Sequence, residues 1–408
     1  MPVGPAHLPT LPALDGVRWG TAATGMRYQN RDDLALLELP ADTIAAACFT
    51  QNHYRAAPIL IAQHHLQTTP PRYLLINAGT ANACTGEPGL QAATDSCAAL
   101  AKLTALSPAA ILPFSTGVIG EPLDTAALTA ALPAAIESLS TAPAAWERAA
   151  RAIMTTDTRP KLATATCSLA GHRAQINGIA KGAGMLCPNM ATMLAFVVTD
   201  ARLSAAALDA LCRQATEKSF NRISVDGDTS TNDAVLLAAT GRANTPSIDA
   251  LDSPAGRALA TATTALFQDL AQQLVRDAEG ATRLVTLDVT GGATSADCLQ
   301  VARTLSTSPL VKTALYAGDP NWGRLVAAIG RAGIPGLDPA RVKLAVGDTP
   351  IFANGQPAPH YNETQGRALF APAELRIQID LGMGKHREQF WTCDLSPDYV
   401  RINADYRS

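Results

Sequence analysis

The sequence predicts a mixed α/β fold of the α+β kind, and three observations predict it. Helical and strand signals alternate along the whole chain, a pattern that builds helices onto sheets. The helical segments open on capping residues and bury one face, while the strand segments keep a two-residue period with one polar face. The chain is 408 residues long, more than one hydrophobic core usually accommodates, so two lobes are expected.

Taken in order, the stretch between Leu123 and Glu147 is rich in alanine and leucine. It is interrupted at Pro133 and Pro143, which predicts short helices packed outside a sheet. Met193 to Val198 is apolar throughout and suits a fully buried strand. Ser204 is a candidate N-cap for a helix that places Leu208, Leu211, Cys212 and Ala215 on one face. A polar loop around Pro246, from Ala243 to Asp252, marks a first candidate boundary. Ser253-Pro254 opens a second helix, because proline suits a first turn, and Leu259, Leu266, Leu270 and Leu274 form its apolar stripe up to a stop at Gly280. Val285–Val289 and Leu375–Leu381 alternate strictly, which predicts strands with one wet face each. A boundary is expected near Thr290 to Ala296, giving lobes of approximately 1–290 and 291–408. The chain shows no fixed-period repeat, sustained heptad or low-complexity tract.

Composition narrows the function classes. Hydrophobic residues make up 47%, so core material is ample, and with 16% charged residues and a net charge of -3 there is no basic field of the kind that collects on nucleic acid or anionic membranes. No span approaches the roughly 20 apolar residues that cross a bilayer. Met1 to Arg18 carries prolines, a single Lys/Arg residue and no continuous apolar stretch, which argues against a secretory or transit segment. A cytoplasmic protein acting on small molecules, with no nucleic-acid or membrane partner, is expected. The eight cysteines, at 48, 84, 97, 167, 187, 212, 298 and 393, form no CxxC pair, and the seven histidines form no HxH or HxxxH pair. Disulfides, zinc and metal catalysis are therefore not expected. Cys187 reads as a small buried hydrophobe, since no base or cation is specified beside it.

The most informative segment is Gly178-Ile-Ala-Lys-Gly-Ala-Gly-Met-Leu-Cys-Pro-Asn-Met-Ala-Thr-Met-Leu-Ala-Phe-Val-Val-Thr-Asp200, which places Thr192 between a glycine-rich approach and a buried strand. A threonine hydroxyl is a weak nucleophile unless a base lies within reach, and the free amine of an N-terminal threonine is such a base. Cleavage of Ala191-Thr192, by attack of the threonine's own hydroxyl on the Ala191 carbonyl, would create that amine. Gly182, Gly184 and Pro188 allow a constrained backbone before the bond. On local spacing alone the better reading is a glycine loop entering a core strand, with Thr192 as one more β-former.

The segment Lys181-Gly-Ala-Gly-Met-Leu-Cys-Pro-Asn-Met-Ala-Thr-Met-Leu194 resembles the signature of the ornithine acetyltransferase (glutamate N-acetyltransferase) family of arginine biosynthesis. Further family-like segments follow one another along the chain: Phe114–Gly120, Met154–Lys161, Ser219–Asp233, Gly318–Arg324 and Ile402–Ser408. Two stretches depart from the pattern, Asn77-Ala-Gly-Thr80 and His53-Tyr-Arg55, and neither touches the nucleophile. The resemblance implies a four-layer αββα-type sandwich like that of N-terminal-nucleophile enzymes, with a smaller α/β lobe. It also implies self-cleavage into an α chain, 1–191, and a β chain, 192–408, that stay together and assemble as a dimer of heterodimers, a heterotetramer. Its activity would be ping-pong acetyl transfer from N-acetylornithine to glutamate through an acetyl-threonine. No cofactor is required, and acetyl-CoA is a candidate co-substrate.

Carried over by motif, Thr192 is the nucleophile, Thr116 and Gly117 form the oxyanion hole, and Thr155, Lys181, Thr192, Glu279, Asn403 and Ser408 bind substrate. Lys181 suits a carboxylate and Glu279 an ammonium. On local sequence alone the better reading of each is an exposed charge, and of Ser115-Thr-Gly117 an ordinary tight turn. Asp226–Asp233 lacks the glycine and glutamate of a calcium loop at its sixth and twelfth positions, occupied by Thr231 and Leu237, so local ordering of a turn is the better reading. Gly318–Arg324 has no phosphate-loop pattern and reads as a lobe-joining loop near the active site. Two other functions remain open on the sequence: a self-processing aminopeptidase or amidohydrolase of related fold, which would pass the acyl group to water, and a non-catalytic amino-acid-binding protein.

Overall fold

In the strand β2 (Leu34–Glu38), Ala35 and Leu37 enter one hydrophobic core while Leu34 and Leu36 enter another, as the two-residue period of an extended chain requires. The same division in neighbouring strands creates the layers of the fold. The computed structural model describes residues 2–5, 8–187 and 193–405. Its first sheet has the order β1 (Arg18–Ala22), β2, β4 (Tyr73–Thr80), β5 (Ile111–Val118), and its second the order β3 (Ile44–Phe49), β10 (Ala234–Ala239), β8 (Leu194–Thr199), β7 (His172–Lys181), β6 (Lys161–Leu169).

The inner faces of these two sheets share one core. Leu74, Ile76 and Phe114 of the first meet Ile179, Phe196, Val198 and Leu236 of the second. The Phe114 and Phe196 rings meet edge to face with centroids 5.0 Å apart, and Trp19 adds a second edge contact to Phe196 at 6.5 Å. Outside the first sheet lie α2 (Gly86–Thr104) and α3 (Thr125–Glu137), and outside the second α5 (Ala205–Glu217) and α6 (Pro254–Arg276). The result is the helix–sheet–sheet–helix sandwich that the family resemblance implies. Two further helices, α1 (Ala57–Thr68) and α4 (Pro143–Ala152), close its flanks with Ile59 and Trp146.

Local signals place most of these elements. Ser204 accepts from the Ala207 amide and Ser253 from the Gly256 amide, capping α5 and α6 as expected. Pro133 differs: α3 runs through it. A proline there removes one ladder hydrogen bond, but Leu128, Ala131, Leu132 and Ala135 are buried on the helix's inner face, and that burial keeps the helix continuous. The expected helix end at Gly280 falls earlier, at Arg276, and Gly280 sits in the following turn with φ +69°.

A third sheet forms the smaller lobe, in the order β14 (Gln356–Pro357), β13 (Thr349–Ala353), β12 (Lys343–Val346), β15 (Glu374–Asp380), β11 (Leu284–Gly292), β16 (His386–Cys393), β9 (Ile223–Ser224). Leu287, Val289, Ile377 and Ile379 point into a core shared with α7 (Ser295–Ser306), α8 (Pro309–Ala317), α9 (Trp322–Gly330) and α10 (Glu363–Phe370). The alternate residues of β15, Glu374 and Arg376, are exposed, giving that strand its wet face. The last helix, α11 (Pro397–Ala404), buries none of its own residues fully and packs back on the turn at Gly280.

Phe196 is fully buried at the meeting of the two sheets. Phe196→Ala is expected to destabilise the protein by about 3–5 kcal/mol, the usual cost of emptying an aromatic site in a core, and chemical denaturation of the two proteins checks it.

Candidate active site

Strand register brings the end of β7 and the starts of β8 and β10 into one row at one end of the second sheet. Lys181 pairs with Leu194 across antiparallel strands, and Leu194 pairs with Ala234 across parallel ones. Met193 and Asp233, the residues just before β8 and β10, therefore stand side by side, and the Met193 amide donates to Asp233 Oδ1 at 2.9 Å.

The end of β5 approaches this row from the first sheet. Gly117 has φ +133°, and a Cβ there would lie 2.1 Å from the carbonyl carbon of Gly79, so only glycine fits at this close approach. The β4–β5 pairing is irregular at the same place, between Gly79 and Thr80. Asn232 fastens the two sheets across the gap: its Nδ2 donates to the carbonyls of Ala81 at 2.7 Å and Ser115 at 2.9 Å.

Lys181 is the charged centre of the arrangement. Its Nζ, on a residue only 3% exposed, donates to Thr116 Oγ1 at 2.8 Å and Thr155 Oγ1 at 3.0 Å. An ammonium has donors only, so both hydroxyls act here as acceptors and each keeps its own hydrogen to offer elsewhere. Burial lowers the pKa of Lys181, and Asp157 works against that lowering.

Asp157 is itself held from several sides. Its carboxylate accepts from the Thr155 amide at 3.0 Å and the Gly182 amide at 2.7 Å, and it pairs with Lys161. Lys161, 1% exposed, also reaches Asp277 at 2.6 Å, and Asp277 accepts the Thr158 and Arg159 amides at 2.9 and 3.1 Å. Burial pushes the Asp157 carboxyl upward, but Lys161, Lys181 and the Gly182 amide hold it well below the usual carboxylate range.

On the opposite side, Glu279 Oε2 accepts from Asn403 Nδ2 at 2.7 Å, and the Glu279 amide donates to the Ala183 carbonyl at 2.9 Å. Gly184 is pressed against this carboxylate, since a Cβ there would lie 2.4 Å from Oε2. The C-terminal helix thus folds back to the site through Asn403. Asp226 braces the approach, accepting the Met185 and Leu186 amides at 2.5 and 2.8 Å.

A cavity of about 250 Å³ opens between these groups. Thr116, Gly117, Thr155, Lys181, Glu279 and Asn403, six of the residues picked out from the sequence, line it together. The other three, Ala191, Thr192 and Ser408, lie outside the described residues. Lys181 and Glu279 give the cavity a cation and an anion, suited to a zwitterion. Thr116 and Gly117 add a hydroxyl and a glycine-flanked backbone, suited to a developing negative charge. Among the described residues no cluster of three or more histidine, cysteine or acidic side chains is arranged to hold a metal. Asn232, Ser230 and Ala81 also line the cavity and were not singled out from the sequence. The signal available for the first two was the density of polar residues just before the wholly apolar β10. Gly318–Arg324, expected near the site, instead joins α8 to α9 within the smaller lobe.

Residues 18–408 match the model of the ArgJ family. The chain is 46% identical, over the full length of both, to a protein of Pseudomonas syringae pv. tomato named arginine biosynthesis bifunctional protein ArgJ. Among solved structures, the Bacillus halodurans protein of the same name is 37% identical, covering 50% of this chain and 95% of that one at a TM-score of 0.48. A Mycobacterium tuberculosis ornithine acetyltransferase complexed with ornithine is 31% identical, covering 44% and 96% at 0.39.

Asp157→Asn removes a buried charge that two lysines face, and is expected to cost about 3–5 kcal/mol at neutral pH, as breaking a buried pair does. Because the folded pKa is depressed, the stabilisation from Asp157 is present above the unfolded value of about 3.9 and is lost as pH falls below it. Urea unfolding should therefore show the wild-type advantage at pH 7 shrinking below about pH 4.

Proposed function

The chain belongs to the ArgJ family, and on that premise we propose how its cavity carries out acetyl transfer in arginine biosynthesis. The observation that carries the reading is the convergence, on one small cavity, of Lys181, Glu279 and the Thr116–Gly117 turn, beside the strand that Thr192 leads into. Thr192 becomes an N-terminal residue when the Ala191–Thr192 bond is cut by the attack of its own hydroxyl. Its amine then serves as the general base for that hydroxyl.

N-acetylornithine enters with its carboxylate toward Lys181 and its free ammonium toward Glu279. The Thr192 hydroxyl attacks the acetyl carbonyl, and the Thr116 hydroxyl and the Gly117 amide stabilise the oxyanion. The amine returns its proton to the departing nitrogen of ornithine, leaving acetyl-Thr192. Glutamate follows into the same cavity, its α-amine attacks the acetyl group, and N-acetylglutamate leaves. Thr155 holds Lys181 in place, and Ser408 completes the substrate contacts. No cofactor takes part. Acetyl-CoA is a further donor, in keeping with the bifunctional activity that the names of its relatives carry.

The cut would divide the protein into chains 1–191 and 192–408, and the sheet register supports their staying together. The α-chain strand β7 and the β-chain strand β8 pair from Ile176–Thr199 to Lys181–Leu194, with β10 on the far side of β8. A cut between them leaves this core sheet whole. We place the assembly, a dimer of such heterodimers, in the cytoplasm; no helix among the described residues is long and apolar enough to cross a membrane.

Thr192→Ala is expected to run as one full-length chain on a denaturing gel and to lose acetyl transfer by at least about a thousandfold, as loss of a nucleophile does. Two chains from that variant, or unchanged activity, would rule out the mechanism. Feeding N-acetylornithine with glutamate should yield N-acetylglutamate; mainly free acetate would assign the protein to the hydrolases. Glu279→Gln keeps the shape of the side chain and removes its charge, so KM for N-acetylornithine should rise about 10- to 100-fold, the worth of a hydrogen bond to a charged group. An unchanged KM would remove Glu279 from the ammonium site.

A further inference from the structure

Two cysteines that no sequence spacing announces are brought together by the fold. Cys48 Sγ and Cys212 Sγ lie 4.0 Å apart across a separation of 164 residues. Cys48 stands on β3 and Cys212 on α5, where the Cys212 thiol donates to the Ala46 carbonyl of β3 at 3.7 Å. β3 is the edge of the second sheet and pairs on one side only, with β10, so that Cys48 faces Val235. The strand thus belongs to residues 1–191, while both elements that hold Cys48 in place, β10 and α5, belong to residues 192–408.

The two thiols differ in access. Cys48 lines a cavity of about 690 Å³ with Gln63 and Gln67 of α1 and with Arg213 and Thr216 of α5, which gives a small oxidant a path to its sulfur. Cys212 is fully buried behind it. Thr216 is 1% exposed, and its hydroxyl makes no hydrogen bond of ordinary length among the described residues. Its hydrogen can therefore turn to the Cys48 sulfur when that sulfur carries a charge. The Cys212 thiol lowers the pKa of Cys48 against the effect of burial, and Thr216 and Arg213 lower it further. Cys48 and burial together raise that of Cys212. A cysteine with burial alone to shift it behaves differently, for the Cys97 thiol is pushed up to about 12.

We propose that Cys48 and Cys212 are a redox-active pair that closes to a reversible disulfide and so ties the two halves of the protein together covalently. That the tie runs between separate chains rests on the cut at Ala191–Thr192 proposed above; the bond itself needs no cut. While both thiols are reduced, strand pairing and packing alone hold residues 1–191 to residues 192–408. The disulfide adds a covalent link, which stabilises mainly by restricting the unfolded state. In a reducing compartment such bonds are transient and report oxidation.

The oxidant is a peroxide, and the step balances. The Cys48 sulfur attacks one peroxide oxygen, a sulfur–oxygen bond forms, the oxygen–oxygen bond breaks and water leaves, giving a sulfenic acid. The Cys212 sulfur then attacks the Cys48 sulfur, the sulfur–sulfur bond forms, the sulfur–oxygen bond breaks and a second water leaves. Two thiols have lost two hydrogens and two electrons, and one hydrogen peroxide has become two waters. A disulfide needs its sulfurs about 2.05 Å apart, so the pair must close by about 2 Å. Rotation of the two thiols and the give of an edge strand with one neighbour supply that movement.

The test uses the whole purified protein. Reduced wild type, Cys48→Ala and Cys212→Ala are treated with hydrogen peroxide, their remaining thiols are alkylated, and each is run on a denaturing gel without reductant and mapped by peptide mass spectrometry. The expected result is that the two wild-type chains become one full-length band, that the map contains a peptide pair joined through Cys48 and Cys212, and that a thiol reductant restores two chains. Both variants should stay as two chains under the same treatment. Wild-type chains that remain separate with no joined peptide overturn the inference, as does a link that persists in Cys48→Ala or runs through any other cysteine. Should Cys212→Ala fail to fold, Cys48→Ala, changed at a half-buried site, and the wild-type map carry the test. A protein that is a single chain before oxidation contradicts the cleavage reading and leaves the pair to the map, where a joined Cys48 and Cys212 supports it and their absence overturns it.

Discussion

Taking charged side chains out of water costs several kcal/mol per ion unless each finds a partner and fills its hydrogen bonds, and this protein places Lys161, Asp157, Asp277 and Lys181 together at the end of one sheet. Asp157 is the link that makes the arrangement tolerable. It pairs with Lys161, accepts the amides before Thr156 and after Lys181, and faces the Lys181 ammonium by charge. Because the Thr155 and Gly182 amides converge on this one carboxylate, the two segments carrying the cavity's hydroxyl and ammonium are fixed relative to each other. Lys181 in turn fixes Thr116 across the gap between the sheets. A charge network that would be a liability in an ordinary core here supplies rigidity to a polar site, which is what preorganised catalysis requires.

The sheets supply the second half of that rigidity. Strand pairing leaves no freedom in which residues meet at the end of the second sheet, because a one-residue slip would turn Phe196 and Leu236 out of the inner core. The same register that buries Phe196 therefore sets Met193 beside Asp233 and Lys181 beside Leu194. Asn232 carries the alignment to the other sheet by grasping the Ala81 and Ser115 carbonyls. Packing and chemistry are thus consequences of a single alignment, and a cut in the connection between β7 and β8 leaves the alignment held by pairing on both sides.

How much of this was legible depends on whether the cause was local. Ser204 and Ser253 announced α5 and α6 because a cap acts within three residues, and the period-two runs announced β11 and β15 because strand sidedness is written along the chain. Pro133 misled for the complementary reason: its local effect is helix-breaking, while the burial of Leu128 and Leu132 that overrides it comes from a distant sheet. The six cavity-lining residues were reached through motif resemblance, since nothing near Lys181 or Glu279 in sequence marks them as buried. Asp157, Asn232 and Asp233 fell inside the matched motifs without being singled out. Their partners lie on other strands, and hydrogen bonds between strands leave no spacing to read. The four-layer sandwich came from resemblance too, because alternating helices and strands fit more than one stacking.

The central claim is that Thr192 is a self-generated N-terminal nucleophile that carries the acetyl group between substrates. Intact mass spectrometry of the purified protein, before and after addition of N-acetylornithine, tests it most directly. The account predicts two chains whose masses match residues 1–191 and 192–408, with the second heavier by one acetyl group after the substrate is added and restored to its first mass by glutamate. A single uncut chain, or two chains of which the second never gains an acetyl group, would contradict it.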